Sequence, residues 1–481
     1  MKAKETLLFF VLIILALAVI SAVFPYKGIA FAGRRLFFPK PEEIFFQGES
    51  RSIQEKMEAM ERSLQMRIYE DSITKAKVMA RNDSLLFFAS YFADNPARIH
   101  FPAEDSHYLD TFFYQLQNRR ADELIHILHY GDSQIESDRI TGLLRQKLQE
   151  RFGGSGPGLL PLVQPIPSLT MGQSATENIA RYIISGNLIN RANHNRYGIM
   201  GQVAAVDGSS YVTIGSRRNK ENYDSVRTFS KIRLFVGRSS EGFEAELKTS
   251  NNSYLRKIEG ETSRMRTLTW NLPAPISKFS IRFGGRAELT AIALDGNRGI
   301  AVDNIPLRGS SGTFFTSIDP SSIAPAMREL NVKLILMEFG GNTVPSIKKQ
   351  KNLDDYKSGM MRQIAFLQKI HPQAKIILIG PADMSTRVNG RLQSYPFLKE
   401  TIQILKEAAL ESGVAFWNMY EVMGGENSMV DWVKEKPALA ASDYIHFTPK
   451  GANRIAELFY ESLMVCYDFY EFTNRNTETE E

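Results

Sequence analysis

The spacing of apolar and polar positions changes several times along the chain, and each change predicts a different kind of element. An uncharged, almost wholly apolar run extends from Thr6 to Phe24, which is long enough to span the hydrocarbon core of a membrane. Residues 25–50 contain three prolines and predict an extended spacer. Residues 51–93 are charged and helix-prone, and 107–119 predict an amphipathic helix. The apolar stripe of the 51–93 region consists of Met57, Met60, Leu64 and Ile68.

Two separate parts of the chain alternate apolar strands with helices. In the first, a strand-like run over Leu124–Leu128 leads through His129 to Ser133 into a helix that stops at Gly153. The second begins after residue 299 and has the same rhythm. Its predicted strands cover 332–339, 375–380 and 414–417, and its predicted helices cover 357–370, 398–411 and 448–467. Near-continuous apolar strands between helices indicate an α/β fold with a parallel sheet covered on both faces.

Helical periodicity is largely lost between these two parts, and short β-type segments recur between turn residues. They cover Ile232–Val236, Phe243–Leu247, Met265–Trp270, Phe279–Phe283 and Leu289–Leu294. This spacing is typical of an all-β sandwich or jelly roll. The simplest architecture is one α/β domain interrupted by a β-rich insert. The predicted divisions are an N-terminal transmembrane helix at 1–30, a spacer and helical region at 31–106, the α/β domain at 107–165 and 299–470, the insert at 166–298, and a disordered acidic tail at 471–481.

Composition narrows the classes of function. The net charge is only +5 over 481 residues, so we expect no nucleic-acid partner. Cys466 is the only cysteine, which rules out an intrachain disulfide, and its apolar helical surroundings predict a buried side chain. His, Cys, Asp and Glu are not clustered at the spacings that metal sites use. We therefore expect neither a metal nor another cofactor.

The first residues predict the cellular compartment. Lys2 and Lys4 precede the apolar run, and such lysines stay in the cytoplasm by the positive-inside rule. A cleaved signal peptide is the alternative, but its apolar core is shorter and no clean A-x-A cleavage site follows. We favour an uncleaved anchor in the inner membrane, with everything after Phe24 exported to the periplasm or another extracytoplasmic space.

Candidate chemistry begins at Ser133, which follows Gly131 and Asp132 between a predicted strand and a predicted helix. Active sites of α/β folds lie in such turns, at the carboxyl ends of parallel strands, and the N-terminus of a helix favours a developing anion. A helix N-cap is the ordinary alternative for a serine here. His129, at the strand end, is more typical of a structural histidine than of a base. Asp132 is expected to brace the turn through local backbone N–H groups.

A candidate base lies far along the chain. His446 stands three residues after Asp443, in a loop before the last predicted helix. An imidazole can take a serine proton at neutral pH, and a carboxylate can fix its tautomer and stabilise the imidazolium. The alternative is again an ordinary capping pair. Only seven histidines occur in the chain, which favours the functional interpretation of this one.

A third element follows the predicted strand at 332–339. Phe339-Gly340-Gly341-Asn342 offers a side-chain amide that could donate to an oxyanion, and a small Gly340 that would let a substrate approach. The alternative is a plain turn, because Gly and Asn are common turn residues.

Taken in order, Gly-Asp-Ser, Gly-x-Asn and Asp-x-x-His before a C-terminal helix resemble the SGNH/GDSL hydrolase superfamily. The resemblance covers about 107–165 and 299–470. It implies Ser133 as nucleophile, His446 as base and Asp443 as the acid that orients it. It implies oxyanion donors at the Ser133 N–H, the Asn342 side chain and a glycine N–H. That glycine is assigned to Gly309, and Gly312 is its competitor. Gln134 stands where the Leu of GDSL is usual, and Thr343 where many members have Asp.

The insert adds a weaker likeness, of architecture, to bacterial peptidoglycan O-acetylesterases with a carbohydrate-binding-like β module. These resemblances imply a serine esterase that removes O-acyl groups, above all O-acetyl, from a cell-envelope polysaccharide or peptidoglycan. One alternative is an O-acetyltransferase that uses the same triad, with a membrane acyltransferase as partner. A second is a non-catalytic envelope protein that binds glycans.

Overall fold

The structure is a computed structural model that describes residues 3–31, 34–40, 66, 79–186, 188–217 and 224–477. The chain divides into two compact units, Met1–Phe87 and Phe88–Glu481. The predicted apolar stripe of Met57, Met60, Leu64 and Ile68 lies outside the described residues.

The first unit contains helix α1 (Ala3–Val23) and two short strands, β1 (Ile29–Phe31) and β2 (Arg34–Leu36). In the described part of the chain, α1 is the one helix long and apolar enough to cross a membrane, and a signal sequence meets the same criterion. β1 and β2 pair as an antiparallel hairpin. These two strands are too short to stand out as a pattern in the sequence, and the predicted spacer over 25–50 stays a prediction.

The second unit holds the remaining strands. In chain order they are β3 (Ile99–His100), β4 (Leu124–Gly131), β5 (Gly158–Leu160), β6 (Met171–Ala175), β7 (Ala180–Ile183), β8 (Gln202–Val206), β9 (Tyr211–Ser216), β10 (Phe229–Ser239), β11 (Phe243–Lys248), β12 (Ser253–Ile258), β13 (Arg266–Ile276), β14 (Lys278–Gly284), β15 (Ala287–Asp295), β16 (Gly299–Pro306), β17 (Val332–Glu338), β18 (Lys375–Ile379), β19 (Ser385–Val388), β20 (Arg391–Ser394) and β21 (Ala415–Trp417).

The α-helices are given next, in chain order. They are α2 (residues 79–94, which begins in the first unit), α3 (Asp110–Gln117), α4 (Arg139–Phe152), α5 (Pro320–Glu329), α6 (Gln350–Ile370), α7 (Leu398–Glu411), α8 (Met419–Met423), α9 (Ser428–Lys434) and α10 (Pro449–Thr477).

A six-stranded sheet in the order β16-β4-β17-β18-β21-β3 forms the centre of this unit. The first five strands run parallel, and β3 is an antiparallel edge strand. All eight residues of β4 are buried, as expected for a strand covered on both faces. One face packs against a cluster that includes residues of α3, α4 and α10, and the other against a cluster that includes residues of α5, α6 and α7. The chain therefore has the predicted α/β class.

Between β4 and β16 the chain forms two antiparallel sheets, in the orders β13-β10-β15-β8-β7 and β12-β11-β14-β9-β6, with β5 paired to β15. A separate apolar core lies between them, and the fully buried rings of Phe229 and Trp270 belong to it. The five β-type segments predicted in this stretch appear as β10, β11, β13, β14 and β15. A jelly-roll connectivity stays a prediction.

This β-rich part, here called the insert, leaves and rejoins the α/β domain at one place. The Ile300 N–H donates to Gly153 O at 2.9 Å, and the Gly296 N–H donates to Ser155 O at 2.8 Å. Gly154 has a φ of +128°, and a Cβ there would lie 2.2 Å from Ile300 O. Only glycine allows the two crossing segments to approach this closely.

A buried polar network also joins the insert to the central sheet. Arg233 in β10 donates to Asp295 Oδ2 at 2.7 Å and to His126 Nε2 at 2.8 Å, and His126 Nδ1 lies 2.7 Å from Asp303 Oδ2. Because a guanidinium has no acceptor, His126 Nε2 accepts and Nδ1–H donates to Asp303. All four side chains are at most 3% exposed, so the network gives the insert a fixed orientation.

Two predicted helix boundaries need correction. α6 begins at Gln350 rather than 357, since Gln350–Asp354 and Lys351–Asp355 pairs extend it by polar contacts that apolar periodicity does not detect. α10 continues to Thr477, so 471–477 are helical and not part of a structureless tail. The ring of Phe88 packs against Phe469 and Phe472 at 5.2 and 5.5 Å, which stabilises this extension. Cys466 is buried on α10, as predicted.

Candidate active site

Ser133 lies in the turn between β4 and α4, at the carboxyl end of a wholly buried strand. Asp132 Oδ1 accepts the Gln134 N–H at 2.9 Å, which is the brace predicted for Asp132. α4 begins only at Arg139, and Ser137 and Asp138 have φ of +63° and +68°. Ser133 is therefore not the N-cap of this helix, and its side chain is available for other contacts.

The structure brings Ser133, His446 and Asp443 together. Ser133 Oγ lies 2.8 Å from His446 Nε2, and His446 Nδ1 lies 2.7 Å from Asp443 Oδ2. Both distances suit hydrogen bonds. The His446 side chain is 31% exposed, so the imidazole is fixed by partners on two sides yet open to a substrate. The distance between Ser133 Oγ and His446 Nε2 is within the reach that a serine nucleophile and a general base require.

The carboxylate of Asp443 is itself held by the loop. Its Oδ1 accepts the backbone N–H groups of Ile445 and His446, each at 3.0 Å. Partial burial tends to raise the pKa of Asp443, but the hydrogen bonds from His446 and Ile445 outweigh it and keep the pKa below its ordinary value. Asp443 therefore stays ionised beside the imidazole, as stabilisation of an imidazolium requires.

Two side chains for which the sequence predicted no role, those of Gln134 and Arg139, connect the Ser133 turn to the His446 loop. Gln134 Nε2 donates to Ile445 O at 2.6 Å, and Gln134 Oε1 accepts the Phe447 N–H at 3.4 Å. Arg139 donates to Ser133 O and, at 3.3 Å, to Phe447 O. Gln134 thus holds the backbone on both sides of His446. Its only signal in the sequence was a polar residue where the resembling family usually has Leu.

Asn342 contacts the same turn from the end of β17. Its Nδ2 donates to Asp132 Oδ2 at 2.7 Å and to Ser310 O at 3.3 Å. The short bond to Asp132 orients the amide. The other N–H of the amide makes the longer and weaker bond, to Ser310 O.

Gly340, two residues before Asn342, has a different role from the one predicted. Gly340 is buried with a φ of +130°, and a Cβ there would lie 2.9 Å from both Leu405 and Pro381. It serves backbone conformation and packing rather than substrate access. Gly341 lines the cleft in front of Ser133, and a Cβ there would lie 3.9 Å from both Asp132 Oδ2 and Met384 Sδ, which is ordinary van der Waals contact.

The two candidate glycines of the oxyanion site lie in the loop after β16. Gly309 is exposed with a φ of +72°, and a Cβ there would meet no atom within 4 Å. Gly312 packs against the Phe339 ring, and its N–H donates to Ser310 Oγ at 3.1 Å. Neither glycine lines the cleft that contains Ser133, so the structure does not bring Gly309 to Ser133. Its oxyanion role stays a prediction.

A buried polar layer lies behind the serine. His129 Nε2 is 3.1 Å from Glu338 Oε2, and Thr141 Oγ1 is 3.0 Å from His129 Nδ1. Both ring nitrogens are thus engaged, as a structural histidine requires.

Burial raises the pKa of Asp132 to about 7, and the nearby Glu338 adds to the rise, while bonds from Gln134 and Asn342 oppose it.

The cleft in front of Ser133 is small, with a volume of about 190 Å³. Besides the residues already named, its wall includes Pro345, Pro381, Ala382, Asp383 and Met384. In the part of the chain that the structure describes, no group of three or more His, Cys, Asp or Glu side chains is arranged to hold a metal ion. The chemistry that the residues of the cleft offer is that of the serine, the imidazole and the carboxylate.

No model of a known family matches the sequence, and no curated protein sequence matches it. Among solved structures, a peptidoglycan O-acetylesterase superposes with a TM-score of 0.60 at 20% identity, covering 74% of this chain and 96% of that chain. This chain shares its fold. At this identity the similarity establishes the fold, and it agrees with the resemblance to SGNH/GDSL esterases drawn from the sequence.

Weaker matches include an acetyl xylan esterase, with a TM-score of 0.26 at 14% identity over 34% of this chain and 81% of that chain. Another is a carbohydrate acetylesterase from Sinorhizobium meliloti, with a TM-score of 0.24 at 14% identity over 34% of this chain and 78% of that chain.

Proposed function

We propose that this protein is an exported serine esterase that removes O-acyl groups, specifically O-acetyl groups, from a polysaccharide or peptidoglycan of the cell envelope. The observation that carries the proposal is the 2.8 Å contact between Ser133 Oγ and His446 Nε2, supported by Asp443 at 2.7 Å. A non-catalytic glycan-binding protein has no need of this alignment between residues so far apart in sequence.

In the proposed reaction, Ser133 Oγ attacks the ester carbonyl carbon while its proton moves to His446 Nε2. The C–O bond to the glycan then breaks, and the imidazolium returns the proton to the departing glycan oxygen, leaving an acyl group on Ser133. A water molecule then gives a proton to His446 Nε2 and attacks the acyl carbon. The bond from that carbon to Ser133 Oγ breaks, the imidazolium returns the proton to Ser133 Oγ, and the acid is released. Asp443 stabilises the imidazolium in both steps.

The oxyanion formed in each step needs hydrogen-bond donors. The Ser133 N–H bonds to no described residue and is available. Asn342 is held by Asp132, and its second hydrogen is the natural one to exchange the 3.3 Å bond to Ser310 O for a bond to the oxyanion. One such donor typically contributes about 2.7–4 kcal/mol to the transition state. Gly309 is proposed as the third donor, which requires the loop after β16 to shift.

Two features favour acetyl and an envelope glycan. A cleft of about 190 Å³ is below the usual size of about 300–1,000 Å³ for sites that enclose a whole ligand, so it suits a small acyl group on a larger molecule. A solved structure that shares this fold is a peptidoglycan O-acetylesterase. We propose that α1 stays uncleaved as an inner-membrane anchor, with the second unit in the periplasm.

Acetate release from a panel of O-acetylated glycans tests the proposal, with the full chain in detergent and Ser133→Ala as the matched control. We expect release by the native chain and none by the variant. Acetyl groups that appear on an acceptor glycan instead of as free acetate would establish the acetyltransferase alternative. No turnover of any acetyl ester by the native chain would favour the glycan-binding alternative.

A further inference from the structure

A second and larger cavity lies between the α/β domain and the insert. Its volume is about 410 Å³, within the range of about 300–1,000 Å³ that is typical of ligand sites. Apolar side chains from both parts line it, among them Leu159, Ile166, Ile183 and Leu307. Such a surface fits the carbon faces of a sugar ring or a short aliphatic group. We call this space the inter-lobe cavity.

The charges in the wall of this cavity do not balance. Three arginines and two carboxylates line it. Asp138 accepts two bonds from Arg145, at 2.6 and 2.9 Å, and Glu136 is paired with Arg308. The excess positive charge is therefore that of Arg181.

Arg181 lies on β7, at the edge of the insert. Its Nε donates to Gln202 Oε1 at 2.7 Å, and no carboxylate among the described residues pairs with it. Burial lowers the pKa of Arg181, with no anion to offset the effect. A half-buried guanidinium is usually paired, because desolvating a lone charge is unfavourable. This one has donors left for a planar anion, and a carboxylate is an anion whose shape it matches.

The inter-lobe cavity and the catalytic cleft share a wall. Ser133 and Gln134 line the cleft, while Glu136, Ser137 and Asp138 line the cavity. Three residues of chain reach at most about 11 Å, so the two spaces are within the reach of neighbouring units of one glycan. Two arginines hold this short segment in place, one through Ser133 O and the other through Glu136.

Resting on the proposed function, we propose that the inter-lobe cavity is a substrate subsite. It binds a carboxylate-bearing unit of the same glycan whose acyl group enters the catalytic cleft, and Arg181 is the counter-ion. The apolar wall takes the carbon skeleton of that unit. The enzyme thereby selects acidic O-acylated glycans over neutral ones through affinity rather than through the chemical step. The carboxylate belongs either to a sugar acid or to a short peptide attached to the sugar.

Kinetics with matched substrates test this inference. The full chain in detergent is given an O-acetylated oligosaccharide with lactyl carboxylates, its methyl ester, a neutral O-acetylated xylo-oligosaccharide and a small chromogenic acetyl ester. Arg181→Gln should raise KM for the acidic oligosaccharide about tenfold or more, from the loss of one charge-assisted bond, and leave kcat unchanged. The other three substrates should show no effect. Arg181→Lys should retain part of the affinity, and Arg282→Gln, an exposed arginine elsewhere on the insert, should behave as native.

A further arm separates the two sources of the carboxylate. Oligosaccharides that carry a peptide are compared before and after amidation of the peptide carboxylates, and the form whose KM depends on Arg181 identifies the source. Equal KM values for native and Arg181→Gln protein on every acidic substrate would overturn the subsite.

Calorimetric binding of the deacetylated acidic oligosaccharide, which needs no esterase activity, keeps the two proposals distinct. Arg181-dependent binding without turnover of any ester would refute the esterase and retain an acidic-glycan site. Turnover of the chromogenic ester without any effect of Arg181 would do the reverse.

Discussion

The second unit contains two groupings of a hydroxyl, an imidazole and a carboxylate, and they differ in nearly everything except composition. Ser133, His446 and Asp443 come from two loops. Ser133 and His446 line the cleft, and the side chains of His446 and Asp443 are 31% and 48% exposed. In the other grouping, Thr141 is wholly buried, and the His129 and Glu338 side chains are at most 4% exposed. Hydrogen-bond lengths do not explain the difference, since all four contacts lie between 2.7 and 3.1 Å.

Access separates them. Thr141 is the third residue of α4 and is fully buried, so an ester cannot reach its hydroxyl. Ser133 lies in the turn that precedes the same helix and borders the cleft. Under the proposed function, the position of the hydroxyl relative to the strand end distinguishes a reactive role from a structural one. Substitutions in and around the two groupings test this distinction.

We call Ser133, His446 and Asp443 the open grouping, and Thr141, His129 and Glu338 the closed grouping. Substitutions in the open grouping should cause the greatest loss of activity. Ser133→Ala and His446→Ala should each lower kcat for ester hydrolysis by on the order of 10⁴-fold or more, because neither residue is sufficient alone. Acetate release from a soluble ester measures this, and circular dichroism monitors the fold. Substantial turnover by Ser133→Ala would mean that another residue is the nucleophile.

The next effect concerns the amide at the edge of the cleft. Asn342→Ala should lower kcat by roughly 10²–10³ with little change in KM, because the bond to the oxyanion strengthens only in the transition state. Steady-state kinetics on one ester measure both constants. An increase confined to KM would show that Asn342 binds substrate instead. Asn342→Asp keeps the shape and removes the donor, and should be as slow as Asn342→Ala.

Asp132, which lies between the two groupings, predicts a pH effect on stability. Its pKa is raised from 3.8 to about 7, so the folded state holds this proton more tightly than the unfolded state. The resulting stabilisation is complete below about pH 4. It is lost as the pH rises to about 7, by on the order of 1.4 kcal/mol for each pH unit in that interval. Denaturant unfolding of native and Asp132→Asn protein from pH 4 to 8 measures the difference. Parallel curves for the two proteins would contradict the raised pKa.

The closed grouping should affect stability and leave chemistry unchanged. Thr141→Val removes the hydroxyl that contacts His129 Nδ1 and leaves a buried polar atom unpaired. This should lower the free energy of unfolding by about 1–3 kcal/mol, with kcat per folded molecule unchanged. Urea unfolding and active-site titration provide the two quantities. Lost turnover at native stability would give the closed grouping a role in the reaction.

Among the substitutions expected to lower kcat, the one at Gln134 should have the smallest effect. Gln134→Leu introduces the residue usual in the resembling family and removes both bonds that flank His446. We expect kcat to fall about tenfold, which corresponds to one or two hydrogen bonds of about 1 kcal/mol, with an altered pH–rate profile because the imidazole is less well placed. Gln134→Glu keeps the bond from the Phe447 N–H and loses the one to Ile445 O. Its kcat should therefore lie between those of the native protein and Gln134→Leu. If the pH–rate profile of Gln134→Leu matched that of the native protein, Gln134 would have a role in packing and not in positioning the imidazole.

The central sheet was predictable because its strands are apolar almost without interruption. β17 was expected over 332–339 and covers Val332–Glu338, and α7 was expected and found over 398–411. The start of α6 was missed because polar pairs form it. Ser133, His446 and Asp443 were predictable because their types and order are distinctive. The contacts of Gln134 and Arg139 were not predictable, since one amide in a turn and one guanidinium at the start of a helix give no periodic or spacing signal.

The role of Arg181 was equally hidden. The proposed role of Arg181 rests on the finding that no carboxylate among the described residues pairs with it. The sequence cannot show this, because the neighbours of Arg181 are set by the packing of β7 and β8 against the loop after β16. The packing role of Gly340 also depends on Leu405 and Pro381, which belong to other elements. Local sequence could indicate that a glycine occurs after the strand, but not which neighbours require it.

The place where the insert leaves and rejoins the α/β domain has a consequence for how the chain folds. β4 and β16 pair side by side, although the whole insert separates them in sequence. Closing so long a loop loses chain entropy before any strand contact forms. A folded insert already holds its ends together through the bond from the Gly296 N–H to Ser155 O. We therefore expect the insert to acquire structure before β16 docks on β4, so that a destabilised insert slows refolding of the central sheet.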